Sequence, residues 1–223
     1  RGASGGARHP VLLYLHGGEG TRRLGGFERM RSNGGLPTEL AEDAGFAERF
    51  PFIALFPQWA DIADGWAAVA SGTRLAACAL DGRGAGAVGL CSGGLAGGRG
   101  ASGISMGGGA TWDLALAHPD RFSAIAPMCG NARLEPGAYG RALLDVAAWV
   151  VHAEDDASVP VSASDAMVEA LRRQPGREAP LEYTRYPAGV VGGNGHGSFG
   201  VLWREGREDF VPWLLQQRRF RPP

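Results

Sequence analysis

Gly103-Ile104-Ser105-Met106-Gly107 is the stretch that decides how this sequence is interpreted. It fits the Gly-x-Ser-x-Gly pattern of the nucleophile elbow, in which a serine occupies a sharp turn between a strand and a helix. Glycine is needed on both sides because Cβ atoms there would collide with neighbouring backbone. Residues Thr111 to His118 predict the following helix, which Pro119 ends. Since a glycine-rich chain also produces this pattern by accident, an ordinary glycine loop remains an alternative.

Length and composition favour one α/β domain over residues 1–223, because 44% of the residues are hydrophobic and can form a sizeable core. The formal net charge of −1 gives no reason to expect a nucleic acid or an anionic membrane as partner. No apolar run approaches the roughly 20 residues of a membrane span. Every basic residue is arginine, which excludes mechanisms that need a lysine, such as Schiff bases and P-loops.

Cysteines and glycine motifs predict neither a metal nor an organic cofactor. Cys78, Cys91 and Cys129 allow at most one disulfide, and none has the spacing of a zinc site. The run Gly84 to Gly89 matches the Gly-x-Gly-x-x-Gly dinucleotide pattern. Glycines follow it where a helix would be required, so we do not expect nucleotide binding.

Apolar runs alternate with helical segments along the chain, which predicts a mostly parallel sheet with helices on both faces. Residues 21–50 are predicted as loop apart from one helix. The predicted strands are 10–15, 52–57, 122–130, 147–152 and 181–186, and the predicted helices are 36–44, 142–148, 161–173 and 208–218. Pro212 is expected in the first turn of the last helix.

Residues 67–102 do not fit this alternation. Glycine occupies almost half of positions 82–100, and only residues 98–102 are available for the strand that should lead into Ser105. We hypothesise that this block was translated in a shifted reading frame of GC-rich DNA. Retranslation in the other two frames tests the idea, which fails if neither yields an apolar helix and a Val/Ile-rich strand.

Candidate functional residues follow the predicted strands. His16-Gly17-Gly18 comes after the first strand, the acids 154–156 after a later one, and His196 lies in a glycine-rich loop after the last. Open α/β sheets carry their functional groups at the carboxyl ends of the strands, so these residues are expected to converge. Trp59 and Trp66 are candidates for lining a cleft, although simple packing is the better interpretation of both.

The sequence resembles α/β-hydrolase esterases related to dienelactone hydrolases, polyhydroxybutyrate depolymerases and feruloyl esterases, and the prolyl-oligopeptidase-like "predicted peptidases". The order serine, acid, histidine is the order found in α/β-hydrolases. The family begins with one or two strands before the equivalent of Val11, so the resemblance implies an N-terminally truncated chain. The residues that carry the resemblance are 14–18, 51–53 with 57–58, 103–130, 152–156 with 159–160, 195–198 and 213–215.

The resemblance implies a role for each site residue. Ser105 would be the nucleophile, His196 the base and Asp156 the acid of the triad, with Asp155 as the rival acid. The N–H groups of Gly18 and Met106 would form the oxyanion hole. The resemblance gives the remaining strand-end histidines, 16 and 152, structural places.

The implied activity is hydrolysis of carboxylic esters through an acyl-enzyme. The expected partner is a small-molecule or polymer-linked ester, with no cofactor, metal, nucleic acid or membrane span. A serine peptidase with the same triad, and a non-catalytic or damaged α/β scaffold, are the alternatives. The sequence gives no compartment.

Overall fold

Six parallel strands form one sheet in the computed structural model, which describes residues 9–21, 24–58 and 99–218. The order across the sheet is β2-β1-β3-β4-β5-β6, and every neighbouring pair is parallel. This confirms the predicted mostly parallel sheet. The strands are β1 (Val11–Leu15), β2 (Ile53–Leu55), β3 (Arg99–Ile104), β4 (Ala124–Met128), β5 (Ala147–Ala153) and β6 (Leu181–Tyr186).

Eight α-helices lie in the described part of the chain, and a 3-10 turn (Gly18–Gly20) follows β1. The helices are α1 (Gly26–Arg31), α2 (Leu36–Glu42), α3 (Ala44–Arg49), α4 (Met106–Ala117), α5 (Pro136–Ala142), α6 (Ser162–Arg172), α7 (Ser198–Glu205) and α8 (Arg207–Gln216). None of these helices combines the length and apolarity that crossing a bilayer requires.

Each face of the sheet is buried in its own hydrophobic core. Successive side chains of a strand point to opposite faces, and on β1 Leu13 and Leu15 join one core while Leu12 and Tyr14 join the other. The first core includes residues of α4, α5 and α6, and the second includes residues of α2, α3, α7 and α8. The helices therefore cover both faces, as the sequence predicts.

Strand β3 is central although its composition is poor for a strand. It pairs with β1 on one side and with β4 on the other, over almost its full length. Its small residues suit the tight packing there, since a Cβ on Gly100 would already lie 3.1 Å from the Leu12 side chain. Tertiary pairing on both sides thus outweighs the low intrinsic strand propensity.

Several predicted helix boundaries are wrong. The predicted helix 142–148 is instead α5, which begins with Pro136 at its first turn, and residues 147–148 belong to β5. Pro fits the first helical turn because an N–H group at that position would have no acceptor within the helix, so its absence in proline costs no hydrogen bond. Residues 21–50, predicted as mostly loop, also contain α1 and α3, and Asp43 caps α3 by accepting the Phe46 N–H at 2.9 Å.

The C-terminal region contains two helices where the sequence predicts one. Helix α7 begins at Ser198, inside the predicted glycine-rich loop, and α8 places Pro212 in its interior rather than in its first turn. Burial explains why the proline is tolerated. Trp149 packs edge-on against Phe210 at 5.4 Å and against Trp213 at 5.3 Å between ring centroids, on both sides of the proline.

Some sequence-based predictions fall outside the described residues. These are the cleft tryptophans Trp59 and Trp66, the cysteines Cys78 and Cys91, the glycine motif 84–89 and most of the unusual block 67–102.

Candidate active site

Ser105 occupies the turn between β3 and α4 in a backbone conformation that side chains rarely adopt. Its φ is 54° and its ψ is −120°, a region that costs on the order of 1–3 kcal/mol for a residue other than glycine. Two hydrogen bonds hold the turn. The Ser105 N–H donates to the Met128 carbonyl at 2.9 Å, and the Ser105 carbonyl accepts the Gly109 N–H at 3.1 Å. The serine is therefore presented by a turn fixed from both sides.

The glycines that flank Ser105 are required by close backbone approach. A Cβ on Gly103 would lie 2.3 Å from the Gly107 carbonyl oxygen, and one on Gly107 would lie 2.1 Å from the Leu15 carbonyl oxygen. Real Cβ atoms do not approach backbone so closely. The predicted helix begins near Thr111, but α4 begins at Met106. The close contact of Gly107 with β1 explains the difference, because the glycines of α4 let the helix start against that strand.

The structure brings the three predicted side chains together in one chain of hydrogen bonds. His196 Nε2 lies 2.9 Å from Ser105 Oγ, and His196 Nδ1 lies 2.8 Å from Asp156 Oδ2. The three residues are distant in sequence, and Ser105 and His196 are 91 positions apart. Because a carboxylate only accepts hydrogen bonds, Nδ1 carries the proton and Nε2 is free to accept the serine proton.

The Asp156 carboxylate is buried and fully hydrogen bonded. Oδ1 accepts the backbone N–H groups of Ser158 at 2.8 Å and Val159 at 2.9 Å. Oδ2 faces His196 and a second histidine, His152, whose Nε2 is 3.1 Å away. Burial acts to raise the pKa of Asp156, but the hydrogen bonds from Val159, His196 and Ser158 outweigh it and hold the pKa below its usual value.

Asp155, the rival acid, faces a different partner. Its Oδ2 accepts the Gly189 N–H at 2.7 Å. Glu154, one position earlier, binds the Arg185 side chain and accepts the Ala188 N–H at 3.3 Å. Of these three consecutive acids, two hold the loop that carries His196, and Asp156 contacts the imidazole itself.

The loop that carries His196 docks directly on the acidic turn. The Asn194 carbonyl accepts the Ala157 N–H at 2.9 Å, and its side chain accepts the His196 N–H at 3.2 Å. Gly195, with φ of 76°, lies so close to this turn that a Cβ would be 2.5 Å from the Asp155 carbonyl. The imidazole is thus positioned by backbone contacts on both sides of it.

Gly18 and Met106, the predicted oxyanion donors, both lie next to the serine. Met106 is the first residue of α4, where helical N–H groups have no partner within the helix. Gly18 begins the 3-10 turn after β1 and shares a cleft with Ser105 and His196. The preceding Gly17 packs so closely that its Cβ would be 3.3 Å from the Ser105 Cβ.

A cleft of about 300 Å³ opens over Ser105. Its lining is mixed in character, and Glu19 is the one acidic residue among the lining residues that the structure describes. The lining residues are Gly17, Gly18, Glu19, Asn33, Ile104, Ser105, Ser158, Asn194, His196, Gly197 and Phe199.

One group of three possible metal ligands occurs among the described residues. The ligand atoms of Cys129, Asp156 and His196 lie within 4.8 Å of one another. Burial raises the pKa of the Cys129 thiol to about 12, so the thiol stays protonated at neutral pH. Asp156 and His196 are also hydrogen bonded to each other. In this arrangement the ligand atoms are therefore occupied by protons and hydrogen bonds rather than directed at a cation.

Sequence reasoning did not find the contact between His152 and Asp156. His152 is buried, with Nδ1 2.7 Å from Ser164 Oγ and Nε2 near the acid. The available signal was the spacing of four residues between His152 and Asp156 at the end of β5, but the sequence does not show which side-chain atoms face each other.

No protein-family model matches this sequence. No curated protein matches it either.

Solved structures resemble the chain at low sequence identity. A thermostable esterase has a TM-score of 0.73 at 24% identity, covering 97% of this chain and 57% of that one. The feruloyl esterase module from Clostridium thermocellum, complexed with sinapinate, has a TM-score of 0.60 at 12% identity, covering 97% and 81%. Est1E from Butyrivibrio proteoclasticus has a TM-score of 0.62 at 12% identity, covering 94% and 90%. This chain therefore spans little more than half the length of the thermostable esterase.

Proposed function

We propose that this chain, which has the α/β-hydrolase fold, hydrolyses carboxylic esters through an acyl-enzyme on Ser105. The observation that carries the proposal is the hydrogen-bond chain from Ser105 Oγ through His196 to Asp156, with distances of 2.9 and 2.8 Å. A serine hydroxyl becomes a nucleophile when a positioned base accepts its proton and a third group orients that base. The esterases among the similar structures support the same chemistry.

In the first step, Ser105 Oγ attacks the ester carbonyl carbon while His196 Nε2 takes the hydroxyl proton. The tetrahedral intermediate then collapses, and the imidazolium returns the proton to the leaving alcohol. Asp156 stabilises the imidazolium because its carboxylate is held charged by four N–H donors. In the second step, water gives a proton to His196 Nε2 and attacks the acyl carbon. The bond from this carbon to Ser105 Oγ then breaks, the imidazolium gives its proton to Oγ, and the carboxylic acid is released.

We assign stabilisation of the negative oxygen to the N–H groups of Gly18 and Met106. Their residues lie beside the serine on two different elements, one after β1 and one at the start of α4. Loss of one such donor lowers kcat by on the order of 10²- to 10³-fold. The proposed reaction uses a small-molecule or polymer-linked ester, and none of its steps needs a metal or an organic cofactor.

Covalent labelling tests the proposal. We expect a fluorophosphonate probe to label Ser105, identified by peptide mass spectrometry, and we expect p-nitrophenyl acetate to be hydrolysed. Ser105→Ala should abolish both, whereas Ser162→Ala, at an exposed serine of α6, should leave both unchanged. Folded wild-type protein that neither takes the label nor cleaves the acetate would overturn the proposal and favour a non-catalytic scaffold. Peptide p-nitroanilides tested in parallel decide between an esterase and a serine peptidase.

A further inference from the structure

A second histidine, His152 at the end of β5, shares the Asp156 carboxylate with His196. Its Nε2 lies 3.1 Å from Asp156 Oδ2 and 3.0 Å from the Val159 carbonyl. Its Nδ1 lies 2.7 Å from the hydroxyl of Ser164 on α6. The side chains of both His152 and Asp156 are inaccessible to solvent.

The partners of His152 fix its tautomer. Because Nε2 faces two acceptors, it must carry a proton. Burial lowers the pKa of His152, so the imidazole is neutral and its Nδ1 accepts a hydrogen bond from Ser164. His196 has the opposite tautomer, with its proton on Nδ1. Both imidazoles therefore donate to the same carboxylate oxygen from two directions.

We propose that His152 is a positioning residue for the proposed ester hydrolysis: its Nε2–H fixes Asp156 Oδ2 in line with His196 Nδ1. The inference rests on the proposed function. Without this donor, Oδ1 would keep its two backbone N–H groups from Ser158 and Val159, but Oδ2 would be held by His196 alone, so its direction toward His196 Nδ1 would be fixed less tightly. His152 also stabilises the negative charge on Oδ2 by donating a hydrogen bond to it.

The other ionisable groups around this pair do not replace His152. The Cys129 thiol after β4 is protonated, as described above. Asp155 is directed to the Gly189 N–H, and Asp165 on α6 is bound by Tyr183 and Arg185. On the side away from His196, His152 is thus the side chain that donates to Oδ2 in the described residues.

Two amide substitutions separate the contacts of His152. In His152→Gln the amide nitrogen lies at about the position of Nε2 and can still donate to Asp156. In His152→Asn the amide lies at about the position of Nδ1, which keeps the contact with Ser164 but not the one with Asp156. Both side chains are polar, so the pair is matched for burial. Ser164→Ala serves as a control that weakens packing without removing the Asp156 contact.

We expect His152→Asn to lower kcat for p-nitrophenyl acetate about tenfold or more, because a hydrogen bond to a buried charge is lost, with KM within about twofold of wild type. The acidic limb of kcat/KM should move to higher pH, since the loss of one donor leaves a more negative Oδ2 beside His196 Nδ1. His152→Gln should restore kcat to within about threefold of wild type. Ser164→Ala should lower Tm without moving the acidic limb. Equal kcat and equal pH profiles for the two amide variants would overturn the proposal.

Proton NMR gives a readout that does not depend on turnover. The Nδ1–H of His196, bound to a carboxylate, should give a downfield resonance at neutral pH in wild type and in His152→Gln, and it should be broadened or shifted upfield in His152→Asn. An unchanged resonance in His152→Asn would overturn the positioning role even if the protein proved inactive. Absence of Ser105 labelling in wild type, with the NMR result as expected, would instead reject the proposed function alone.

Discussion

Replacing Asp156 by asparagine should block the proposed mechanism through the tautomer of His196. The amide introduced by Asp156→Asn has one oxygen and one NH₂ group, whereas both carboxylate oxygens of Asp156 accept two N–H groups each. The backbone N–H groups of Ser158 and Val159 cannot change, so the amide oxygen must face them. The NH₂ group then faces the two histidines, and His196 has to present a lone pair at Nδ1.

The size of the effect follows from that rearrangement. With its proton moved to Nε2, His196 can no longer accept the proton of Ser105. We expect Asp156→Asn to lower kcat by about 10⁴-fold, which corresponds to about 5.5 kcal/mol of transition-state stabilisation. Asp155→Asn is the matched control, because the amide keeps an oxygen for the Gly189 N–H. It should leave kcat within about threefold of wild type.

The assay is steady-state hydrolysis of p-nitrophenyl acetate, with circular dichroism to verify that each variant is folded. A folded Asp156→Asn protein that keeps kcat within tenfold of wild type would refute the reasoning. An equal loss in Asp155→Asn would also refute it, since the effect would then belong to the loop rather than to the imidazole.

Three further predictions follow from the same structure. Gly107→Ala should lower the free energy of unfolding, measured in urea, by about 3 kcal/mol, because the new Cβ would clash with the Leu15 carbonyl. Gly137→Ala is the control: a Cβ there would have its nearest atoms 3.6 Å away, so this variant should be neutral or stabilised by up to about 1 kcal/mol. Equal effects of the two substitutions would contradict the packing argument. Burial lowers the pKa of His152 from 6.5, so below pH 6.5 the unfolded chain binds a proton that the folded chain does not bind. The free energy of unfolding should therefore fall below pH 6.5, by up to about 1.4 kcal/mol per pH unit. His152→Gln should make this slope shallower in urea titrations at pH 5.5 to 7.5. Glu19→Gln should raise kcat/KM for an anionic ester about threefold relative to kcat/KM for a neutral ester at low salt. If this ratio is unchanged in the variant, or if its increase does not become smaller with added salt, Glu19 does not act on the substrate.

The convergence of the site residues was predictable from the sequence. Parallel strands deliver their carboxyl ends to one edge of a sheet, so residues in the loops that follow β3, β5 and β6 meet there. Strands β1 and β4 were also predictable from the sequence, because strands covered on both faces are continuously apolar. The pattern around Ser105 required glycine, and the close approach of α4 to β1 supplies the reason.

Other features depend on neighbours that the sequence does not reveal. Strand β3 has few apolar residues, and its place is fixed by pairing with β1 and β4 on both sides. Helix α7 begins within a glycine-rich segment because Phe199, Leu202 and Trp203 are buried against the sheet. The contact of His152 with Asp156 depends on ring orientation, which no residue pattern encodes.

The wide separation of Ser105 from His196 along the chain has a consequence for biosynthesis. The ribosome releases the serine turn long before residue 196, and the loop that carries the imidazole docks through hydrogen bonds to the acidic turn after β5. Under the proposed mechanism, a nascent chain therefore carries an unactivated hydroxyl until residue 196 has emerged and its loop has docked. A product that ends before residue 196 would be inert toward esters, rather than a weaker form of the same catalyst.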